Sequence, residues 1–161
     1  MVSPVRSNKY LKNAIRTEHI KDDQITNAKL EPFAEKTLKF MYDFAALGGS
    51  TGALVLTDED GAAQTIPDNA IITKFALDVV TEITSGGSAT IALGAATDGA
   101  AMIKAATAFD NAAYVAATQL GGIPAASKKL TAARNCIATI ATADLTAGKF
   151  YLYITYIEGD A

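Results

Sequence analysis

The side chains able to do acid–base, nucleophilic or metal chemistry are few and scattered. The one histidine, His19, has no serine or cysteine beside it, and no nucleophile-elbow motif occurs anywhere in the chain. A hydrated or interface histidine is the simpler reading. The single cysteine, Cys136, excludes an intrachain disulfide and a Cys-based zinc cluster. Its setting, Asn-Cys-Ile-Ala-Thr-Ile-Ala, suits a small buried hydrophobe. The run Asp58-Glu59-Asp60-Gly61 invites a calcium reading, but Ala62 and Ala63 follow it and offer no side-chain oxygen. A solvated turn accounts for it better. Asp78 and Glu82 stand four apart with Lys74 nearby, as expected of a solvated strand face. A glycosidase-type carboxylate pair is assembled in space and cannot be read from such spacing. Neither Gly86-Gly87 nor Gly121-Gly122 belongs to a phosphate-loop motif. These observations point away from an enzyme, and toward no cofactor and no metal.

The elements that would position these residues are strands. From Ile71 to Ile83, Ile71, Thr73, Phe75, Leu77, Val79, Thr81 and Ile83 share one face, while Lys74, Asp78 and Glu82 share the other with Ile72, Ala76 and Val80. Such period-2 alternation marks a half-buried strand. Thr84-Ser85-Gly86-Gly87-Ser88 then reads as a reversal into a second strand carrying Ala89, Ile91 and Leu93, so a hairpin is expected over 71–94. Upstream, residues 40–47 alternate like a strand, and segments 53–57 and 62–66 flank the Asp-Gly turn as a second expected hairpin. Near the end, 130–141 and 150–157 read as two more strands. In the last, Phe150, Leu152, Ile154 and Tyr156 take one face, and Tyr151, Tyr153, Thr155 and Ile157 the other. Both faces are apolar or aromatic, so Tyr151, Tyr153 and Ile157 are expected to meet a neighbouring subunit. The Ala-rich stretch 95–129 fits either a short helix capped by Asp110 or Asn111 or a meander through Phe109, Tyr114 and Val115. Roughly seven strands suit an antiparallel sandwich.

Composition divides the chain. Of 161 residues, half are hydrophobic, but 32 are Ala and none is Trp, so close-packed layers are expected rather than a thick aromatic core. No apolar run approaches the ~18 residues of a membrane span, and the N-terminus has no apolar leader segment, so a soluble protein made in the cytoplasm is expected. Residues 1–40 carry net charge +3 and residues 41–161 carry −6. We therefore divide the chain into an arm, 1–39, and a β-sandwich body, 40–161. The arm has room for two helical turns over Asn8–Arg16, too few to stand alone. Its apolar anchors are spaced too irregularly to form a core. Its basic residues are mixed with acids and lack interleaved aromatics, against a nucleic-acid partner.

The order TIPDNAIITKFALDVVTEITSGGSATIALGAATDG followed by KLTAARNCIATIATADLTAGKFYLYITYI resembles the bodies of tailed-bacteriophage capsid decoration (cement) and head-fibre proteins. HIKDDQITNAKL is similar to segments in the arms of phage structural proteins. This resemblance implies a jelly-roll-like antiparallel sandwich, mainly β, with an extended and partly helical N-terminal arm. It implies a homotrimer on the outer capsid surface of the virion, with the major capsid (coat) protein as partner and neither nucleic acid nor membrane bound. Coat contacts would come from the arm, through Tyr10, Ile15, Ile20, Ile25, Lys29, Leu30 and Phe33. The alternative is a receptor- or carbohydrate-binding sandwich of a tail or head fibre, with Tyr114, Tyr151 and Tyr153 as its exposed aromatics.

Overall fold

Alternation of apolar and polar residues decides most of the architecture, and the places where it breaks decide the rest. The computed structural model describes residues 34–115, 119–126 and 128–159. The strands are β1 (Lys36–Asp43), β2 (Gly52–Val55), β3 (Thr65–Ile66), β4 (Ala70–Ser85), β5 (Thr90–Ala95), β6 (Gly99–Ala108), β7 (Gln119–Gly122), β8 (Arg134–Ala141) and β9 (Leu145–Glu158). The expected partly helical arm, with Tyr10, Ile15, Ile20, Ile25, Lys29, Leu30 and Phe33, lies outside the described residues, as does His19.

The pairings trace one long antiparallel ribbon folded over on itself. Its innermost pair is β5–β6; outward from there come β4–β7, then β2 and β3 against β8, then β1–β9. Wrapping the ribbon adds β9–β4 and β8–β5 contacts, giving one sheet in the order β1-β9-β4-β7 and another in the order β2-β8-β5-β6, with β3 also on β8. One core lies between their facing sides. The first sheet supplies Phe40, Tyr42, Ile72, Leu77, Phe150, Leu152 and Ile154, and the second Ile91, Leu93, Ile103, Cys136 and Ile140. Tyr42 and Phe150 stack with ring centroids 5.2 Å apart, and Tyr114 tilts against Phe150 at 6.3 Å. Such pairs add stabilisation beyond their buried area.

In β9 the alternation holds from Phe150 to Tyr156, with the Phe150, Leu152, Ile154, Tyr156 face inward as expected. Elsewhere the structure corrects the sequence reading. The segment 71–94 is not a hairpin: β4 pairs with β9 and β7, β5 with β8 and β6, and residues 86–89 cross between the sheets. A Gly-rich turn permits reversal, but which edge the next strand joins depends on partners far away in sequence. Nor does β4 keep one register. A bulge between Ile72 and Lys74 puts Ala70 and Ile72 inward before it and Phe75, Leu77 and Val79 after it, so Ile71 and Thr73 are not core residues. An extra residue on one strand flips the parity of everything beyond it.

Residues 40–47 are not one strand, because the Asp43 carboxylate accepts from the Ala45 N–H at 3.0 Å and starts the one-turn helix α1 (Phe44–Leu47). Segments 53–57 and 62–66 meet at a single Thr57–Ala63 bridge, and their strands β2 and β3 instead lie one after the other along β8. In the Ala-rich stretch, residues 99–108 form β6, and Asn111 caps a 3₁₀ turn at Ala112–Tyr114.

Candidate interaction surface on the four-stranded sheet

Because β9 is the second strand of its sheet, its outer side chains have neighbours on both flanks. Across the pleat, Lys39 of β1 faces Tyr153, which faces Ala76 of β4, which faces Gly121 of β7. In the next row Met41 faces Tyr151, which faces Asp78. This register brings an aromatic strip between a basic border and a row of small side chains.

The basic border is built from ion pairs. Lys39 binds the Glu59 carboxylate, which raises its pKa, and its Nζ stands 4.1 Å from the centre of the Tyr151 ring and 5.7 Å from that of Tyr153. Lys149 Nζ lies 3.0 Å from the Asp43 carboxylate and 5.8 Å from the Tyr151 ring centre. That hydrogen bond, with the one from the Ala45 N–H, holds the Asp43 carboxyl below the usual carboxylate range. An ammonium over a ring face is attracted to its quadrupole. Tyr151 therefore lies within reach of two cations of its own chain.

On the other flank the strip drops away. Ala76 and Gly121 rise little above the backbone, leaving a hollow of about 380 Å³ lined by Ala76, Leu77, Asp78, Leu120, Gly121 and Tyr153. Among the described residues, Asp78 makes no ion pair or side-chain hydrogen bond that would occupy its carboxylate. Lys74, expected as a cross-charge on the same face as Asp78 and Glu82, is instead held by Glu35 at 3.0 Å.

Of the residues expected at an oligomer interface, Tyr151, Tyr153 and Ile157 are together on this outer face, each half-buried within the single chain. Tyr114, expected as an exposed aromatic, is in the core. Its hydroxyl donates to the Ile91 carbonyl at 3.2 Å, and burial pushes its pKa up. Cys136 is fully buried, with its thiol pKa raised by desolvation. Asp58 closes its own turn, accepting from the Asp60 and Ala62 N–H groups at 3.0 and 2.8 Å. Among the described residues no group of three or more His, Cys, Asp or Glu side chains could hold a metal, and no helix is long and apolar enough to cross a membrane.

Sequence reading did not anticipate the hollow. Its elements, Ala76, Gly121 and Tyr153, are 77 positions apart at the extremes and meet only through the β7–β4–β9 register. A second feature it missed is a half-buried, paired acid at the opposite sheet. Asp98, on the β5–β6 turn, accepts from Arg134 Nε at 2.5 Å with Lys128 Nζ at 3.5 Å, and the Arg134 guanidinium lowers its pKa.

No protein-family model matches the sequence, and no curated protein matches it. Solved structures do. A chain in the cyanophage Pam1 capsid asymmetric unit superposes with a TM-score of 0.56 at 16% identity, over 79% of this chain and 86% of that one. A chain in the acidic stable capsid structure of Helicobacter pylori bacteriophage KHP30 gives a TM-score of 0.51 at 16% identity, over 76% of this chain and 86% of that one. At such identity the likeness is one of fold, and the fold is one present in phage capsids.

Proposed function

We propose that the protein is a virion structural protein of a tailed bacteriophage, synthesised in the host cytoplasm. In this reading it binds the outer capsid surface and stabilises coat-protein contacts, as a decoration or cement protein. The observation that carries the reading is the fold likeness to chains of two phage capsid structures, over about three quarters of this chain. Strand order supports a jelly-roll-like sandwich: a folded ribbon with rows β1-β9-β4-β7 and β2-β8-β5-β6 is the arrangement of two interlocked Greek keys. The charge division, +3 for residues 1–40 against −6 beyond, suits an arm and a body with different partners.

Such a clamp gains from closed symmetry, since several weak contacts on one particle act together. A homotrimer is the proposed state, with the outer face of β9 turned toward neighbouring copies through Tyr151, Tyr153 and Ile157. The arm, through Tyr10, Ile15, Ile20, Ile25, Lys29, Leu30 and Phe33, is the proposed coat-protein anchor. Because β1 starts at Lys36 and pairs with β9 along its whole length, the anchoring test belongs upstream of it. Full-length protein carrying Ile25→Ser and Leu30→Ser should keep its sheet circular dichroism yet lose attachment to coat-protein particles. Each anchor is worth ~1.5–3 kcal/mol if fully buried, so the pair should weaken binding by about a hundred-fold or more per subunit. Wild-type occupancy on particles in a co-sedimentation assay would move the attachment face to the sandwich.

A further inference from the structure

We propose that the hollow beside Tyr153 is a saccharide-binding site that takes one neutral pyranose ring. This goes beyond a decoration role: it gives the body a ligand of its own, independent of how the protein is held on a particle.

A pyranose has a face of C–H groups and a rim of hydroxyls, and a site for it needs an aromatic platform, a fixed acceptor and a floor that allows close approach. All three are present around one depression. Tyr153 supplies the ring and bears no hydrogen bond from its hydroxyl to another described side chain. Asp78, on the neighbouring strand and one row along, supplies a carboxylate that no described side chain occupies and that can accept from two adjacent hydroxyls at once. Ala76 and Gly121 supply the floor. A Cβ added at Gly121 would meet the Phe75 carbonyl only at 3.5 Å, so the chain tolerates a side chain there but leaves the space open. At about 380 Å³ the depression falls in the size range of small-ligand sites.

A carboxylate and a tyrosine could also hold a basic side chain, and that ligand is an outcome of the test. Lys39 Nζ already stands 5.7 Å from the Tyr153 ring centre on the β1 side. That ammonium is paired with Glu59 and does not decide between the two ligands, so arginine methyl ester is run beside the glycosides, and transfer to it alone overturns the proposal. The assignment moves Tyr153 from the proposed subunit contact to the hollow and leaves Tyr151 and Ile157 in that contact.

The test is saturation-transfer NMR on the full-length protein with methyl glycosides of glucose, galactose, mannose and N-acetylglucosamine. Transfer to the ring protons of at least one is expected, with a Kd of about 1–10 mM, as befits a single shallow subsite. Asp78→Asn should weaken that binding about ten-fold, because it removes the charge from the accepted hydrogen bonds with almost no change in shape. Gly121→Val should abolish it by filling the floor. Circular dichroism melts of both variants and light-scattering masses are read alongside, so that loss of fold or of assembly is recognised. No transfer from any glycoside at 20 mM (about twice the weakest expected Kd) overturns the proposal, as does transfer that survives both substitutions. A change in oligomer mass caused by Gly121→Val would show the hollow covered by a second copy and overturns it equally.

Discussion

The two sheets share one core yet present opposite outer faces. The four-stranded sheet is built on long strands, 16 residues in β4 and 14 in β9, and its outer face carries Tyr151, Tyr153, Lys39, Lys149 and Asp78. The sheet containing β8 and β5 shows Ala53, Val55, Ala92, Ile137 and Thr139 outward, and β5 is buried along nearly its whole length. Small residues there let the backbone of β6 close in: a Cβ on Gly94 would coincide with the Gly99 carbonyl. Pleat and period are the same in both sheets. Side-chain size makes one outer face a textured, charged layer able to discriminate a ligand, and leaves the other flat.

The same inequality runs through the core, and the largest expected effect tests it. Phe150 is 1% exposed and touches both Tyr42 and Tyr114. Phe150→Ala should cost about 3–5 kcal/mol in urea denaturation, while Ile91→Val in the opposite sheet should cost about 0.5–1.5 kcal/mol. Equal losses would show that the aromatic cluster is not where the sandwich is most tightly held, and the contrast between the sheets would be one of surface only.

What the sequence disclosed follows the range of the forces involved. Phe150 to Tyr156 was legible because alternation is local and nothing interrupts it. The β4 faces were half legible, since the bulge after Ile72 is fixed by the pairing with Thr155 and Tyr156 rather than by any residue of β4. The β4–β5 crossing was not legible, because the partners that claim the edges of β4 lie some 40 and 75 residues downstream. Tyr114 read as surface because Ala-rich flanks resemble a loop. Its burial depends on Phe150 and the Ile91 carbonyl. Alternation in β9 put Tyr151 and Tyr153 together on its outer face, but gave no sign of the hollow, because small residues carry no signal until register places them beside a large one.

Acid titration sharpens the comparison next, through one acid of lowered pKa beside each sheet. Asp98 is pinned by Arg134 with its side chain 9% exposed, whereas Asp43 is pinned by Lys149 at 25%. Both carboxyls have folded pKa values below their unfolded value of about 4. Their stabilisation is therefore complete at neutral pH and is lost as pH falls through the folded values. Asp98→Asn should lower the melting temperature at pH 7 and leave a flatter pH dependence below pH 4, converging with wild type once the pH is below the folded value. Asp43→Asn should do the same to a smaller extent, because its pair is better solvated. A larger effect at Asp43 would mean that the α1 cap, rather than the β5–β6 turn, is the acid-sensitive corner.

The smallest effect bears on the flat face itself. Among the described residues the Thr139 hydroxyl is buried with no hydrogen-bond partner, on the outer side of β8 between Ala53 and Ala92 in register. Leaving such a group unpaired costs roughly 1–3 kcal/mol, and valine has nearly the same shape without the hydroxyl. Thr139→Val should therefore stabilise the protein by about 1 kcal/mol in urea denaturation, while among the described residues the textured face holds no buried polar side-chain atom without a partner. Should Thr139→Val destabilise instead, the hydroxyl must be satisfied in solution by something outside the chain. The flat face would then be a contact surface too, and the division between a recognising sheet and a blank one would have to be abandoned.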